Sequence, residues 1–306
     1  MEVEIAGVEF DGPVLLASGI LGSTGESLNR ALRNGAGGVV TKSAGPEPRE
    51  GHPGPNVFVD DDGGYALNAV GLSNPSYGFA DEVEKVDGAT VVSIYGSTSE
   101  EFADLARHFE EHADCLELNV SCPHAEGYGT DIGADPELTR RVTSSVVESV
   151  DVPVWVKLTP NVTDVTEIGV AAEEAGADAV VAVNTLGAMA IDVETGYPIL
   201  GNVQGGLSGP ALKPVAVRCV YELYEALDVP VVGVGGVSSA DDAVEMMLAG
   251  ASLVEVGTAV RDGIGVLDEI SEGIEKYCDD RGIGHDELVG RTHRIVEEEN
   301  EGGGGA

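Results

Sequence analysis

Residues 229–258 read VPVVGVGGVSSADDAVEMMLAGASLVEVGT. A short apolar β-branched run, Val229–Val234, ends in Gly235-Gly236. A helical pattern, Ser238–Leu248, follows and closes at Ala249-Gly250. A second apolar run, Ser252–Gly257, starts at once. Both runs are continuous rather than alternating, the pattern of a parallel strand covered on both faces. The closing glycine allows the backbone turn that ends a helix, and the same device recurs at Ala175-Gly-Ala-Asp178. Such a strand–helix–strand unit is a crossover that needs neighbouring strands.

Six further runs of the same type lie outward from it: Pro13–Ser18, Gly38–Lys42, Thr90–Tyr95, Cys115–Val120, Val152–Leu158 and Ala179–Asn184. Helices are predicted over Ser97–His112 behind the capping-box pattern Ser97-Thr-Ser-Glu100, and over Pro136–Val150 behind Asp135. Val162–Ala175, Ala211–Leu227 and Asp262–Arg281 complete the set. Strands and helices alternating in this way predict an α/β fold, a (β/α)8 TIM barrel over residues 1–295, followed by a disordered acidic and glycine tail at 296–306. A doubly wound sheet would want a Gly-x-Gly-x-x-Gly turn after the first strand, which instead ends Ala17-Ser18-Gly19-Ile20. Two connections, Ser43–Ala89 and Leu186–Pro210, are too long for simple loops and fall at strand C-termini, where such barrels build their sites.

The chain carries 54 acidic residues against 16 Lys and Arg, a formal net charge of −38 over 306 residues. On a globule of this size that is roughly one net negative charge per ~300 Å². An ordinary nucleic-acid binder is excluded, because phosphates need a basic stripe, and docking on anionic lipid is disfavoured. With 42% hydrophobic residues the chain can still bury a core. Lysine is confined to Lys42, Lys85, Lys157, Lys213 and Lys276, and the simplest reading is a halophilic protein adapted to concentrated salt. The cysteines, Cys115, Cys122, Cys219 and Cys278, have no metal or cluster spacing. No stretch reads as a signal peptide or membrane span, so a cytoplasmic, soluble protein is expected.

Polar residues at the strand ends of a barrel face the site. Here they are Ser18, Lys42, Asn119 with Ser121 and Cys122, Lys157 with Thr159, Asn184 with Thr185, Gly235-Gly236 and Gly257-Thr258. Any single one could be a mere loop start, but apolar strands ending repeatedly in Lys or Asn are hard to explain as packing. The glycines after the last two strands, with a helix start beside them, suit a phosphate. Cys122 lies beyond its strand, before a glycine-rich loop; position alone leaves open whether it is catalytic or a small buried hydrophobe.

Together these motifs resemble the class 1 dihydroorotate dehydrogenases, class 1B above all. The matching stretches are Gly12-Pro-Val-Leu-Leu-Ala-Ser-Gly19, Thr41-Lys-Ser43 with Glu47-Pro-Arg-Glu-Gly51, and Leu67-Asn-Ala-Val-Gly-Leu-Ser-Asn-Pro75. Then come Glu117-Leu-Asn-Val-Ser-Cys-Pro123, Val156-Lys-Leu-Thr-Pro160, Gly205-Gly-Leu-Ser-Gly-Pro-Ala-Leu-Lys-Pro214, Gly233-Val-Gly-Gly-Val237 and Val256-Gly-Thr258.

The resemblance implies an FMN oxidoreductase that converts (S)-dihydroorotate to orotate in pyrimidine biosynthesis. It implies Cys122 as the base for the C5 proton and flavin N5 as hydride acceptor. Lys157 would face the flavin N1 side. Ala17, Ser18, Lys42, Ser43, Asn119, Val183, Gly209, Gly235, Gly236, Gly257 and Thr258 would hold FMN. Lys42, Asn68, Gly71, Leu72, Asn119, Asn184 and Thr185 would hold substrate. No metal is expected.

Where many relatives have Asn after Cys-Pro, this chain has His124. Class 2 relatives use a Ser base and an N-terminal membrane helix, unlike Cys122 and the bare N-terminus. Class 1B further implies a partner subunit carrying FAD and a [2Fe–2S] cluster that passes electrons to NAD+, in a heterotetramer. The alternatives are a class 1A homodimer using fumarate, a related dihydropyrimidine flavin oxidoreductase, and a non-redox phosphate-binding barrel.

Overall fold

The computed structural model describes residues 1–60, 62–121 and 132–302, with the side chains of 301 and 302 excepted. Eight parallel strands close into a barrel. They are β1 Val14–Leu16, β2 Gly38–Val40, β3 Thr90–Ile94, β4 Cys115–Asn119, β5 Val154–Lys157, β6 Ala179–Ala182, β7 Val231–Val234 and β8 Ala251–Val256. Each pairs with its neighbours in chain order, and β8 closes on β1 through Glu255 opposite Leu15. Seven lie within the predicted runs, trimmed by up to two residues at an end, and β8 starts one residue before its run, at Ala251; Ser18, Lys42 and Asn184 lie just past the ladder, whereas Asn119 and Lys157 pair at its last rung.

The covering helices are α1 Gly25–Leu32, α2 Ala80–Val83, α3 Ser99–Phe109, α4 Pro136–Val147, α5 Val165–Glu174, α6 Lys213–Ala226, α7 Ala240–Leu248 and α8 Val266–Arg281. Asp135 caps α4, its carboxylate accepting from the Glu137 and Leu138 N–H groups. At α3 the cap is Thr98 rather than Ser97: Thr98 accepts from the Glu101 N–H, and Ser97 donates to the Glu101 carboxylate. Gly176 and Gly250 end α5 and α7 at φ +94° and +127°; at Gly250 a Cβ would lie 2.4 Å from Tyr224.

Two apolar layers result. The larger packs strand outer faces against helices. The smaller fills the barrel interior with Leu15, Val40, Val91, Cys115, Trp155, Val181, Val232 and Leu253. A hairpin, Val3–Ile5 paired with Val8–Phe10, closes its lower end with Val3, Ile5, Val8 and Phe10 buried. Phe10 packs on Trp155 with ring centroids 5.8 Å apart.

The two long connections fold together. Val57–Val59, Ala66–Asn68, Gly205–Ser208 and Leu186–Ala188 pair as one antiparallel sheet over the upper rim. At the chain's end, α9 His285–Leu288 and α10 Arg291–Gly302 follow α8. Helix α10 therefore runs into the stretch expected as a tail, where Glu297, Glu298 and Glu299 are good helix formers. Among the described residues no helix is long and apolar enough to cross a membrane.

Candidate active site

A cavity of about 850 Å³ opens at the C-terminal ends of the strands, within the range of small-molecule and cofactor sites. Its wall includes Ala17, Ser18, Lys42, Ser43, Asn119, Lys157, Val183, Gly209, Gly235, Gly236, Gly257 and Thr258, together with Asn68, Gly71, Leu72, Asn184 and Thr185. The structure thus brings together every proposed site residue except Cys122. Cys122, like His124, lies outside the described residues.

One side of the cavity is a hydrogen-bonded row running across strand ends. Ser93 on β3 and Ser43 beyond β2 share a hydrogen bond of 2.8 Å. Asn119 Nδ2 donates to Ser43 Oγ at 3.1 Å, and Ser121 Oγ donates to Asn119 Oδ1 at 3.1 Å. Asn184 Nδ2 donates to Ser121 Oγ at 2.8 Å, closing the row from β3 to β6. These bonds fix two amides side by side, and they fix Ser121, the residue that precedes Cys122. From the rim sheet, Asn68 Nδ2 donates to the Gly206 carbonyl at 3.2 Å.

The opposite side is built from backbone. Gly235 and Gly236 have φ of +131° and +78°; a Cβ on Gly236 would lie 2.7 Å from the Lys213 N and Cβ. Only glycine fits this close turn. Lys213 points away, pairing with Asp242 at 2.6 Å and Glu245 at 2.7 Å. The Asp242 carboxylate also accepts from the Ser238 N–H and hydroxyl. Burial opposes its charge, but hydrogen bonds from Lys213, Ser238 and Ser239 hold Asp242 below the usual carboxylate range. The start of α7 is therefore satisfied from within the chain, while the glycine turns at Gly235-Gly236 and Gly257-Thr258 line the cavity.

Two lysines reach the cavity among the described residues. Lys42 is half-buried, and burial pulls its ammonium below the ordinary lysine range. Lys157 lies at the floor with its side chain 5% exposed. Its Nζ is 2.6 Å from Glu255 Oε2, 3.2 Å from Glu117 Oε2 and 3.5 Å from Ser18 Oγ. Burial opposes its charge, but the two carboxylates outweigh that and hold Lys157 firmly protonated.

The profile of the dihydroorotate dehydrogenase family matches residues 1–278. The chain belongs to that family. Among curated relatives, the "dihydroorotate dehydrogenase B (NAD(+)), catalytic subunit" of Methanocella arvoryzae is 55% identical over 296 residues, covering 95% of this chain and 97% of its own. The protein of the same name from Methanosarcina mazei is 54% identical over 300 residues, covering 95% of each chain. That of Pyrococcus furiosus is 49% identical, covering 96% of this chain and 99% of its own.

Sequence reading missed several features of this cavity. Val57 and Val59 reach the cavity from the rim sheet, and Tyr65 from the residue before its Ala66–Asn68 strand. Beneath the floor lie Glu117 and Glu255, the first quoted within a motif without a role, the second unnoticed. The signal was present: each is an acid in mid-strand, in Cys115-Leu-Glu-Leu118 and Leu253-Val-Glu-Val256, where only a partnered charge survives burial.

Proposed function

We propose that the chain oxidises (S)-dihydroorotate to orotate with bound FMN, as the catalytic subunit of a class 1B enzyme in pyrimidine biosynthesis. The observation that carries this reading is the convergence of the paired amides Asn119 and Asn184, the floor cation Lys157 and the Gly235-Gly236 turn on one cavity. A flavin nucleotide fits the residues present. The cavity has the volume, the glycine turn leaves no room for side chains beside the phosphate end, and a buried ammonium stands at the floor for an electron-rich ring. When bound, FMN supplies the acceptor for the hydride that leaves C6.

The remaining chemistry belongs to the chain. Cys122 Sγ, as thiolate, takes the C5 proton; Ser121, the residue before it in sequence, is held in place by the hydrogen-bonded row. Asn68, Asn119, Asn184 and Thr185 donate to and accept from the pyrimidine ring, with Gly71 and Leu72 beside it. Lys42, the partly exposed lysine, meets the substrate carboxylate. Lys157 lowers the cost of negative charge gathering above it. Ala17, Ser18, Ser43, Val183, Gly209, Gly235, Gly236, Gly257 and Thr258 hold the cofactor.

Electrons then pass to NAD+ through a partner subunit carrying FAD and a [2Fe–2S] cluster; the similar proteins' names, with NAD(+) and "catalytic subunit", support this. The salt-adapted reading rests on charge alone: a surface of 13110 Å² carries 38 net negative charges, about 345 Å² for each. An acceptor assay tests the class. Reduction of NAD+ that requires an added flavin and iron–sulfur subunit supports class 1B, and rapid fumarate reduction by the chain alone moves it to class 1A.

A further inference from the structure

Glu117 and Glu255 are fully buried inside the barrel, and catalysis as described above uses only the lysine between them. Each spends one oxygen on Lys157 Nζ. The other two oxygens, Glu117 Oε1 and Glu255 Oε1, are buried and have no hydrogen-bond partner among the described residues. An ionised carboxylate oxygen left without a donor in a dry core is costly. One ammonium between two ionised acids also leaves a net negative charge in the barrel. A single proton held between the acids removes both problems: the trio becomes neutral, and an O–H becomes available to an orphaned oxygen.

We propose that Glu117 and Glu255 share one proton beneath Lys157, and that Glu255 is a positioning residue that sets how much of the lysine's charge reaches the group in the cavity above. The positioning half rests on the flavin reading of the cavity; the shared proton does not. Burial pushes the Glu255 carboxyl up to about 8; the Glu117 charge adds to this, and Lys157 opposes it without cancelling it. The residues in register on adjoining strands, Leu15, Ser93, Asn119, Trp155, Val181 and Val234, carry no charge. Lower on β4, the Cys115 thiol is pushed up by burial, with Glu117 adding to it, and stays neutral. Lys42, at the mouth, makes no ion pair among the described residues. Below about pH 8 the trio is therefore neutral and Lys157 presents its positive end upward. Above it Glu255 gives its proton to solvent, and the extra carboxylate offsets the lysine's charge.

Two measurements on the full chain test this. The first needs no flavin: protons released on urea unfolding at about pH 6.5, where an exposed glutamate is ionised. Wild type is expected to release one proton more per chain than Glu255→Gln. Glu117→Gln should also lose that proton, because Glu255 then faces Lys157 alone and ionises. Equal release from wild type and whichever of these variants folds overturns the shared proton. The second is the midpoint potential of bound FMN against pH. Wild type and Glu255→Gln should agree near neutral pH, and the wild-type potential should fall below that of the variant above about pH 8. A tenfold weaker reduction corresponds to about 30 mV for a two-electron couple. Coinciding potentials at every pH overturn the positioning role. Failure to bind flavin at all overturns the functional reading and leaves the first measurement standing.

Discussion

Replacing Lys157 with methionine should convert the barrel's centre from a neutral trio into two facing acids. The methionine keeps most of the side chain's volume, so packing is little changed and the charge is what is removed. Glu117 and Glu255 are both 0% exposed, so water cannot take the lysine's place. Breaking a buried pair by removing one partner costs about 3–5 kcal/mol near neutral pH.

The pH dependence carries the sharper signature. In wild type the Glu255 carboxyl titrates near 8 in the folded chain and near 4.5 when exposed. Between those values the folded chain holds one proton more than the unfolded chain. Its contribution to stability is therefore present below the lower value and lost as pH rises, at about 1.4 kcal/mol per pH unit. Without the ammonium nothing offsets the buried negative charge, and the slope should steepen. Urea unfolding at fixed high salt, from about pH 5 to 9, should show the variant's deficit small at the acid end and largest above pH 8. A deficit under ~1 kcal/mol that is the same at every pH would mean that the two acids are solvated and the trio is not a buried unit.

The other predictions concern the cavity and the surface. Cys122→Ala should retain flavin but slow dihydroorotate oxidation by ~100-fold or more in stopped-flow measurements; near-wild-type rates would remove Cys122 as the base. Gly236→Ala forces a Cβ against Lys213 and a φ of +78° on alanine; strain of roughly 1–3 kcal/mol should weaken FMN binding at least ~10-fold by fluorescence titration, and unchanged affinity would take this turn out of the cofactor cradle. Lowering salt lengthens the screening distance from about 3 Å at 1 M to about 10 Å at 0.1 M. Both Tm and the apparent affinity for the anionic substrate should then drop, and invariance of both would refute salt adaptation.

The barrel was legible because buried parallel strands are written as continuous apolar runs, and Gly176 and Gly250 mark where the strands after α5 and α7 begin. The site was legible for a related reason: Lys42, Asn119, Lys157 and Asn184 are polar residues at apolar strand ends, a placement packing does not favour. Other parts were hidden by the physics that makes them. The hairpin at the barrel floor alternates Val-Glu-Ile and Val-Glu-Phe about Ala6-Gly7, a strand pattern too short to stand out beside the runs that follow. The rim sheet joins segments more than a hundred residues apart, and no local pattern reveals such pairing. Helix α1, Gly25–Leu32, follows a glycine-rich turn that reads as loop. Glu255 was overlooked because its significance depends on β8 lying across the barrel from β4 and β5, which only closure of the sheet provides.

The most direct test of the central claim is an anaerobic titration of the purified, FMN-loaded chain with dihydroorotate, followed by flavin absorbance. One equivalent of substrate should bleach one flavin per chain, with orotate as the product. Flavin absorbance that dihydroorotate leaves unchanged, or a chain that takes up no FMN, would contradict the assignment of this cavity to flavin-dependent dihydroorotate oxidation.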